Sequence, residues 1–536
     1  MLIRKIITTL STPAASIAII VIAVAARIFL QIHFLNTDND KSFQLQAAKN
    51  FIEGNGVTLN RIGNDDLSIA TYEPLTMWPP GYSIAVSPFA FISKNNLVLA
   101  SILLDIITCI AFVLIARRLF QLFNLPPWYL NIYTLLTGFF LYKYCTASSS
   151  DFLTLTIFLI ALYSGLMYFQ ANRLSFWQAF LFCVLLSFCP ALRYQYLGIT
   201  MAIPFCFLLI GWLNKDNLQI RKGAISVIIT FLLTVIMIIV QYRNSGNSVY
   251  LPKGEIAITI NKLIELHPFL FSSVINLDVL TPAINHITGI SVQSIYFILA
   301  ALHLMLLLFL VAITIRLLFK KRMLDYISTN RYLFTAAVTS IVSAGTIIIL
   351  SVFYLPYTDG VKGVWTYIME PRYFAIPVFF TQQAVFYFAY KYRNYLQKYF
   401  VLLVSICLLT LLHDIYYTIK IPFTAKGILK YPESPGLIKY TNHCIDSLEM
   451  NNQFSNGVVI ARPAFAGSHA GFYKNIPALY KFIPFDEVDI HTSREIPVLL
   501  VIKNHEKLPQ VPGNQALNLI GTYNAFRFYL TKALPD

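Results

Sequence analysis

Charge is the first thing this chain is short of. Only 12% of its 536 residues are Asp, Glu, Lys or Arg, about half the share found in a soluble globular domain. Together with 57% hydrophobic residues and a mean hydropathy of +0.64, that excludes a soluble enzyme and a disordered chain. Acid is scarcer than base: 25 Asp and Glu stand against 40 Lys and Arg, a formal charge of +15. In so apolar a chain the basic excess marks loops kept on the cytoplasmic side of a membrane, not a nucleic-acid surface. Cysteine is sparse as well. Seven are present, and Cys109, Cys183, Cys189, Cys206 and Cys407 fall in apolar runs, which speaks against a disulfide framework. A Gly-rich phosphate loop of the Walker type is missing, so no nucleotide site is expected.

What the chain has in abundance is long apolar runs. A helix needs about 20 apolar residues to cross a bilayer, and eleven stretches meet or approach that length: 12–33, 97–116, 128–145, 152–170, 176–192, 197–213, 223–241, 293–318, 332–354, 373–390 and 399–417. The run after Arg4 and Lys5 continues to Leu35 with no small-residue cleavage site, so it reads as an anchor and not as a signal peptide. Short connections on one side carry Arg117, Arg118, Arg173, Lys215, Arg221, Lys222, Lys320, Lys321, Arg322, Arg331, Lys391, Arg393 and Lys398. The longer connections on the other side hold fewer basic residues. The positive-inside rule then places the N-terminus inside and the C-terminus outside.

Two parts do not read as spans. Residues 36–96 form a long first external loop, in which the 13 residues from Tyr82 to Lys94 are too few to cross and suit an interfacial or re-entrant segment. From about Ile421 the chain takes on the character of a soluble α/β domain, 421–536, following a membrane domain over 1–420. A helix is expected from Pro435, with Leu437, Thr441, Cys444, Ile445 and Leu448 on one face, and strands at 457–461, 497–502 and 516–529.

Several ionisable residues fall at one leaflet boundary in this topology. Asp38 and Asp40 lie past the first span, Asp151 opens the fourth, Arg193 follows the fifth, and Glu370, Arg372 and Tyr373 precede or open the tenth. Each has a bland reading, since an Asp before an apolar run is also an ordinary helix N-cap. Asp105, inside the second span, is either a functional intramembrane carboxylate or a hydrogen-bond link to a neighbouring helix. Arg27 either snorkels to the interface or meets an external carboxylate. Carboxylates and guanidinium groups at the edge of a bilayer suit a membrane-embedded substrate with a phosphate leaving group. Arg neutralises the phosphate and Asp takes the proton of the incoming nucleophile.

The segment Thr37-Asp-Asn-Asp-Lys-Ser-Phe-Gln-Leu-Gln-Ala-Ala-Lys-Asn-Phe-Ile-Glu-Gly-Asn-Gly56, with Trp78-Pro-Pro-Gly-Tyr82 and Ser148-Ser-Ser-Asp151, resembles the GT-C membrane glycosyltransferases. Within them it is similar to family 39, which holds the protein O-mannosyltransferases and the aminoarabinose transferase that modifies lipid A. The resemblance covers roughly residues 1–400. It implies a GT-C fold of about eleven transmembrane helices in a bacterial cytoplasmic membrane. It also implies a polyprenyl-phosphate sugar donor, an outer-face site and inversion at the anomeric carbon. By that resemblance Asp40 is the general base, with Asp38 its neighbour and rival for the role, and Asp151 supports the base or positions the acceptor. Arg193, Arg372 and Tyr373 meet the donor phosphate, and Glu370 contacts substrate. Trp78 and Tyr82 either stack on a sugar ring or anchor in the aromatic belt.

No cofactor is required on this reading, and a divalent ion on Asp38, Asp40 and Asp151 is an option. The acceptor is a glycan, a lipid or a protein. Where the aminoarabinose transferase has a Lys before its loop proline this chain has Trp78, and the segment after Ile421 matches no motif of the family. The rival functions are a transporter or flippase of lipid-linked sugars, for which Asp105 would matter most, and a non-catalytic envelope scaffold.

Overall fold

The computed structural model describes residues 7–33, 39–62, 70–76, 78–139, 149–245, 267–275, 277–319, 331–353, 371–395, 434–454, 457–461, 478–480, 495–505, 507–508 and 517–533, with a few further helical positions between 397 and 416. The first ten apolar stretches each contain a described helix: α1 Pro13–His33, α4 Leu97–Gln121, α5 Pro127–Phe139, α6 Ser149–Gln170, α7 Phe176–Leu192, α8 Tyr196–Leu213, α9 Asn217–Ser245, α12 Val292–Phe319, α13 Arg331–Phe353 and α14 Ala375–Lys391; positions 140–145 of the third stretch and about half of the eleventh lie outside the described residues. Between them lie α2 Asn39–Ile52, α3 Gly81–Ile92 and the short α10 Phe269–Ser272 and α11 Leu277–Thr288. Among the described residues five helices are long and apolar enough to cross a membrane: α4, α6, α8, α9 and α13. Ile107 and Leu114 of α4 and Phe231 and Ile236 of α9 are exposed on such helices, as expected of a multi-pass protein whose outer solvent is lipid.

Contacts divide the chain into two compact units. One takes in Met1–His33, Asp105–Val240 and Tyr250–Phe423; the other takes in Phe34–Leu104, Gln241–Val249 and Thr424–Asp536. In the first, α6 packs on α7, α1 on α5, α8 on α13 and α13 on α14. Small residues permit the closest approaches. A Cβ at Gly138 of α5 would stand 2.6 Å from the Ala23 Cα of α1, and one at Gly223 of α9 would stand 2.5 Å from the Leu208 Cα of α8. Such crossings are how helices gain contact where lipid removes the hydrophobic drive.

Polar groups inside this unit are spent on joining helices. Gln383 of α14 donates to the Tyr133 hydroxyl (2.9 Å) and the Ala116 carbonyl (3.3 Å), and accepts from the Tyr332 hydroxyl. Arg117 donates to Asn131 and Thr134, each at 2.7 Å, and Asn131 donates to the Leu10 carbonyl (2.7 Å) and the Ser16 hydroxyl (2.9 Å). Lys222, read from sequence as a loop cation, is buried instead. Its ammonium donates to the carbonyls of Tyr168 and Ala171 at the end of α6, where a cation meets the negative end of the helix dipole.

Arg27 does not snorkel. It is 1% exposed, donates to the Thr137 carbonyl, and lies 5.3 Å and 5.9 Å from the ring centroids of Phe112 and Phe152. Of the two readings of Asp105, a helix-to-helix link is present: Gln31 of α1 donates to its carboxylate at 3.3 Å.

In the second unit, the first loop contributes α2, the antiparallel hairpin β1 Thr58–Ile62 and β2 Ala70–Pro74, and α3. Phe43, Ala47, Leu59 and Leu75 form its small core. The C-terminal segment contributes α15 Ser434–Met450 and a five-stranded sheet of β3 Val458–Ala461, β4 Ala478–Tyr480, β5 Ile496–Lys503, β6 Asn518–Tyr523 and β7 Phe526–Ala533. The strand order is β4-β3-β5-β7-β6, with β3 parallel to β4 and β5, and β7 antiparallel to β5 and β6. Leu437, Thr441, Cys444, Ile445 and Leu448 are all buried, and the apolar ones among them join Val459, Leu499, Val501 and Phe528 of the sheet in one core. The run read as one strand over 516–529 is two strands turning at Asn524, whose φ is 51°; Asn tolerates that left-handed backbone.

Candidate functional site

Three residues delivered by three separate segments meet at one point of the first unit. Asp151 lies in the first turn of α6, where the exposed amides of a helix start favour a carboxylate. Pro190 sits in the last turn of α7, and Arg193 follows that helix in extended conformation, with φ −153° and ψ 119°. The Arg193 amide donates to the Cys189 carbonyl (2.9 Å), and its own carbonyl accepts from the Tyr196 amide (3.0 Å) at the start of α8. The backbone at this corner is thus held from both sides, which fixes where the side chain leaves it. Arg372 is carried on the 3-10 turn Pro371–Phe374 that leads into α14. That turn is anchored by Phe374, which is buried and stacks on Phe269 at a centroid distance of 5.6 Å.

The geometry is that of a two-pronged ion pair with a third partner standing off. Arg193 Nε is 2.6 Å from Asp151 Oδ1, and Arg193 Nη2 donates to Oδ2 at 2.7 Å, the side chains being 8% and 2% exposed. Arg372 Nη1 stands 3.7 Å from the same Oδ2, with its side chain 13% exposed. Arg372 also donates to the Tyr373 hydroxyl at 3.3 Å, and its guanidinium lies 5.0 Å from the Tyr373 ring centroid. A planar guanidinium offers two parallel donors to a carboxylate or a phosphate. Here one fork is closed on Asp151, and the second is held beside it.

Asp40, Trp78 and Tyr82 belong to the second unit. Asp40 lies in the first turn of α2 in the second unit and is partly exposed. On the same helix, burial pushes the Lys49 ammonium below its ordinary pKa, and Glu53 raises it in part. Trp78 stacks on Phe43 at 5.2 Å and packs against the small core of the first loop, so one face of its ring is taken. Tyr82 is 1% exposed and points into the protein; an open stacking platform for a sugar does not describe it as it stands. Asp38 and Glu370 lie outside the described residues.

The carboxylate set that could hold a divalent ion is Asp38, Asp40 and Asp151. Asp151 does not fit, because its oxygens face two guanidinium groups and a dication placed there would be repelled. Among the described residues no three His, Cys, Asp or Glu side chains gather in a way that could hold a metal. Sequence reasoning also passed over Gln31, the partner of Asp105. A signal was there: Gln31 follows Arg27 by one helical turn, so two polar side chains share one face of an apolar helix.

Neither a protein-family model nor a curated protein sequence matches this chain. Among solved structures, it aligns with the Archaeoglobus fulgidus oligosaccharyltransferase in complex with Zn and sulfate at 11% identity and a TM-score of 0.46, over 88% of this chain and 63% of that one. It aligns with the oligosaccharyltransferase AglB of the same organism, in complex with an inhibitory peptide and a dolichol-phosphate, at 12% identity and a TM-score of 0.41, over 89% of this chain and 65% of that one. The chain therefore spans less than two thirds of the length of either. At these scores the likeness fixes neither fold nor activity.

Proposed function

We propose that this chain is a GT-C-type inverting glycosyltransferase of about eleven spans that moves a sugar from a polyprenyl phosphate to a cell-envelope acceptor at the outer face of a bacterial cytoplasmic membrane. The observation that carries this reading is the meeting of Asp151, Arg193 and Arg372 at the ends of helices in an apolar bundle. That arrangement presents guanidinium groups to an anionic headgroup whose tail lies in lipid.

The geometry supports the following division of roles. Asp151 holds Arg193 and is a positioning residue. Arg372, the more open of the two guanidinium groups, takes the donor phosphate, with Tyr373 beside it. Asp40, or its neighbour Asp38, accepts the proton of the acceptor hydroxyl. The acceptor oxygen bonds to the anomeric carbon as the bond from that carbon to the phosphate oxygen breaks, and polyprenyl phosphate leaves with both electrons of that bond. The base contributes on the order of 10² to 10⁴ in rate, and the guanidinium charge stabilises the departing phosphate. No step needs a metal.

The test is turnover of radiolabelled polyprenyl-phosphate sugars in membranes at equal expression. Asp40→Asn, or Asp38→Asn in its place, is expected to lower sugar release by about 100-fold or more. Arg372→Gln is expected to raise the KM for the donor, and Asp105→Asn to stay near the wild type. Full turnover in the Asp38, Asp40 and Arg372 variants would overturn the reading. Ion-dependent movement across the bilayer that responds to Asp105→Asn would put a transporter in its place.

A further inference from the structure

The first external loop and the C-terminal segment belong to one compact unit, although they lie at opposite ends of the chain. One contact between them is between strands. In the five-stranded sheet β4 is an edge strand, and β1 of the loop hairpin packs beside it. A bare strand edge is a standing invitation to wrong pairing, and folds cover it. From β1 the connection runs straight to α2. Leu59 of β1 packs with Phe43 and Ala47 of α2, and the Asn50 side-chain amide donates to the Thr58 carbonyl at 2.8 Å. On another side the Ser83 hydroxyl of α3 donates to the Gln44 carbonyl at 2.8 Å.

The helix that opens with Asp40 is itself unusual. Every residue from Lys41 to Ala48 is buried, including Lys41, Ser42, Gln44 and Gln46. A helix buried on all faces despite a polar sequence is not a free-standing loop element. Within the loop α2 packs on α3 and β1, around a core of Phe43, Ala47, Leu59 and Leu75 that is small for an independently folded unit. The C-terminal sheet, by contrast, has a buried apolar cluster on each face.

We infer that the C-terminal domain holds the first external loop in its folded form, through β4 against β1, and so positions Asp40. It is a scaffold for the loop, not a separate module for the acceptor. The role of Asp40 rests on the glycosyl-transfer reading; the coupling between loop and domain does not.

Hydrogen exchange on the full-length protein in lipid nanodiscs tests the coupling. Leu499→Asp puts a charge into a fully buried position of the C-terminal core. The amides of β1, β2 and α2 are then expected to exchange at least ~10-fold faster, together with those of β3 and β5, while α6 keeps its protection. Leu499→Ile is expected to behave as the wild type. If Leu499→Asp disrupts the whole chain, the milder Leu499→Ala carries the same comparison. Conversely, Leu59→Asp is expected to speed exchange in β4 but not in β6 and β7.

Opening of the C-terminal strands with β1, β2 and α2 unchanged would overturn the inference. In the donor assay, Leu499→Asp is expected to lose sugar release and transfer alike, in kcat more than in KM. Loss of transfer with donor hydrolysis intact would make the domain an acceptor module instead. If even the wild type turns over no donor while the exchange coupling is present, the glycosyl-transfer reading fails and the coupling stands.

Discussion

At the residue scale, the pair of Asp151 and Arg193 sets the largest single-site expectation. Removing one member of a buried ion pair leaves the other without its counter-charge, at a cost of about 3–5 kcal/mol. Asp151→Leu is therefore expected to lower the unfolding temperature in detergent markedly. Adding Arg193→Leu is expected to recover part of the loss, because the pair is then replaced by apolar contact. If the double variant is no more stable than Asp151→Leu alone, the two residues do not act as a pair. A second expectation concerns Cys444 in α15, whose thiol is pushed by burial up to about 11 from 9.0. The native state then holds the proton that the unfolded chain releases between those values, so stability falls as pH rises from about 9 to 11. Replacing Cys444 with Ala should flatten that part of the thermal-unfolding profile.

Asp151, Arg193 and Arg372 could be singled out from sequence because charge next to an apolar run is rare and topology put all three on one side. Their pairing could not. Which guanidinium closes on the carboxylate depends on the corner at Arg193 and on the stacking of Phe374, and neither leaves a mark in composition. Arg27 and Lys222 show the converse error. Charge suggests a loop for Lys222 and an interface or an external carboxylate for Arg27, yet each is buried and donates to a carbonyl oxygen beyond its own helix.

At the scale of elements, apolar length located the helices and the face of α15, since those signals are local. The hairpin β1–β2, the strand β4 and the break at Asn524 were not legible, because short strands are defined by partners far away in sequence. Helix crossings provide a test with a sign. At Gly138, where Ala23 of α1 leaves no room, Gly138→Ala is expected to destabilise by about 1–3 kcal/mol. At Gly345 of α13 a Cβ meets nothing within 4 Å, so Gly345→Ala is expected to be neutral or stabilising. Thermal unfolding of the two variants side by side decides it; equal shifts would mean that α1 and α5 do not approach so closely.

For the whole molecule, the basic loops predict which ends face the cytoplasm. Among the described residues the free cysteines are Cys109, Cys183, Cys189, Cys206 and Cys444, all buried; Cys145 and Cys407 lie outside them, and both are replaced by Ser as the background for labelling. In intact cells an impermeant thiol reagent is expected to reach a cysteine placed at Asn504, an exposed turn after β5, and to miss one placed at Lys215, an exposed position between α8 and α9. Labelling at Lys215 without permeabilisation would invert the topology and move the site to the other face.

The seating of β1 beside β4 also bears on how the protein is made. Synthesis runs from the N-terminus, and domains ordinarily fold as they emerge. The hairpin that carries β1 leaves the ribosome early, whereas β4 comes only after the helical bundle has been threaded into the bilayer. If that seating holds the loop, the hairpin has no partner strand until then. On the coupling inferred above, a chain ending before β4 would carry all of its first loop and yet lack the strand that seats it, so the fold of an early segment waits on the synthesis of a late one.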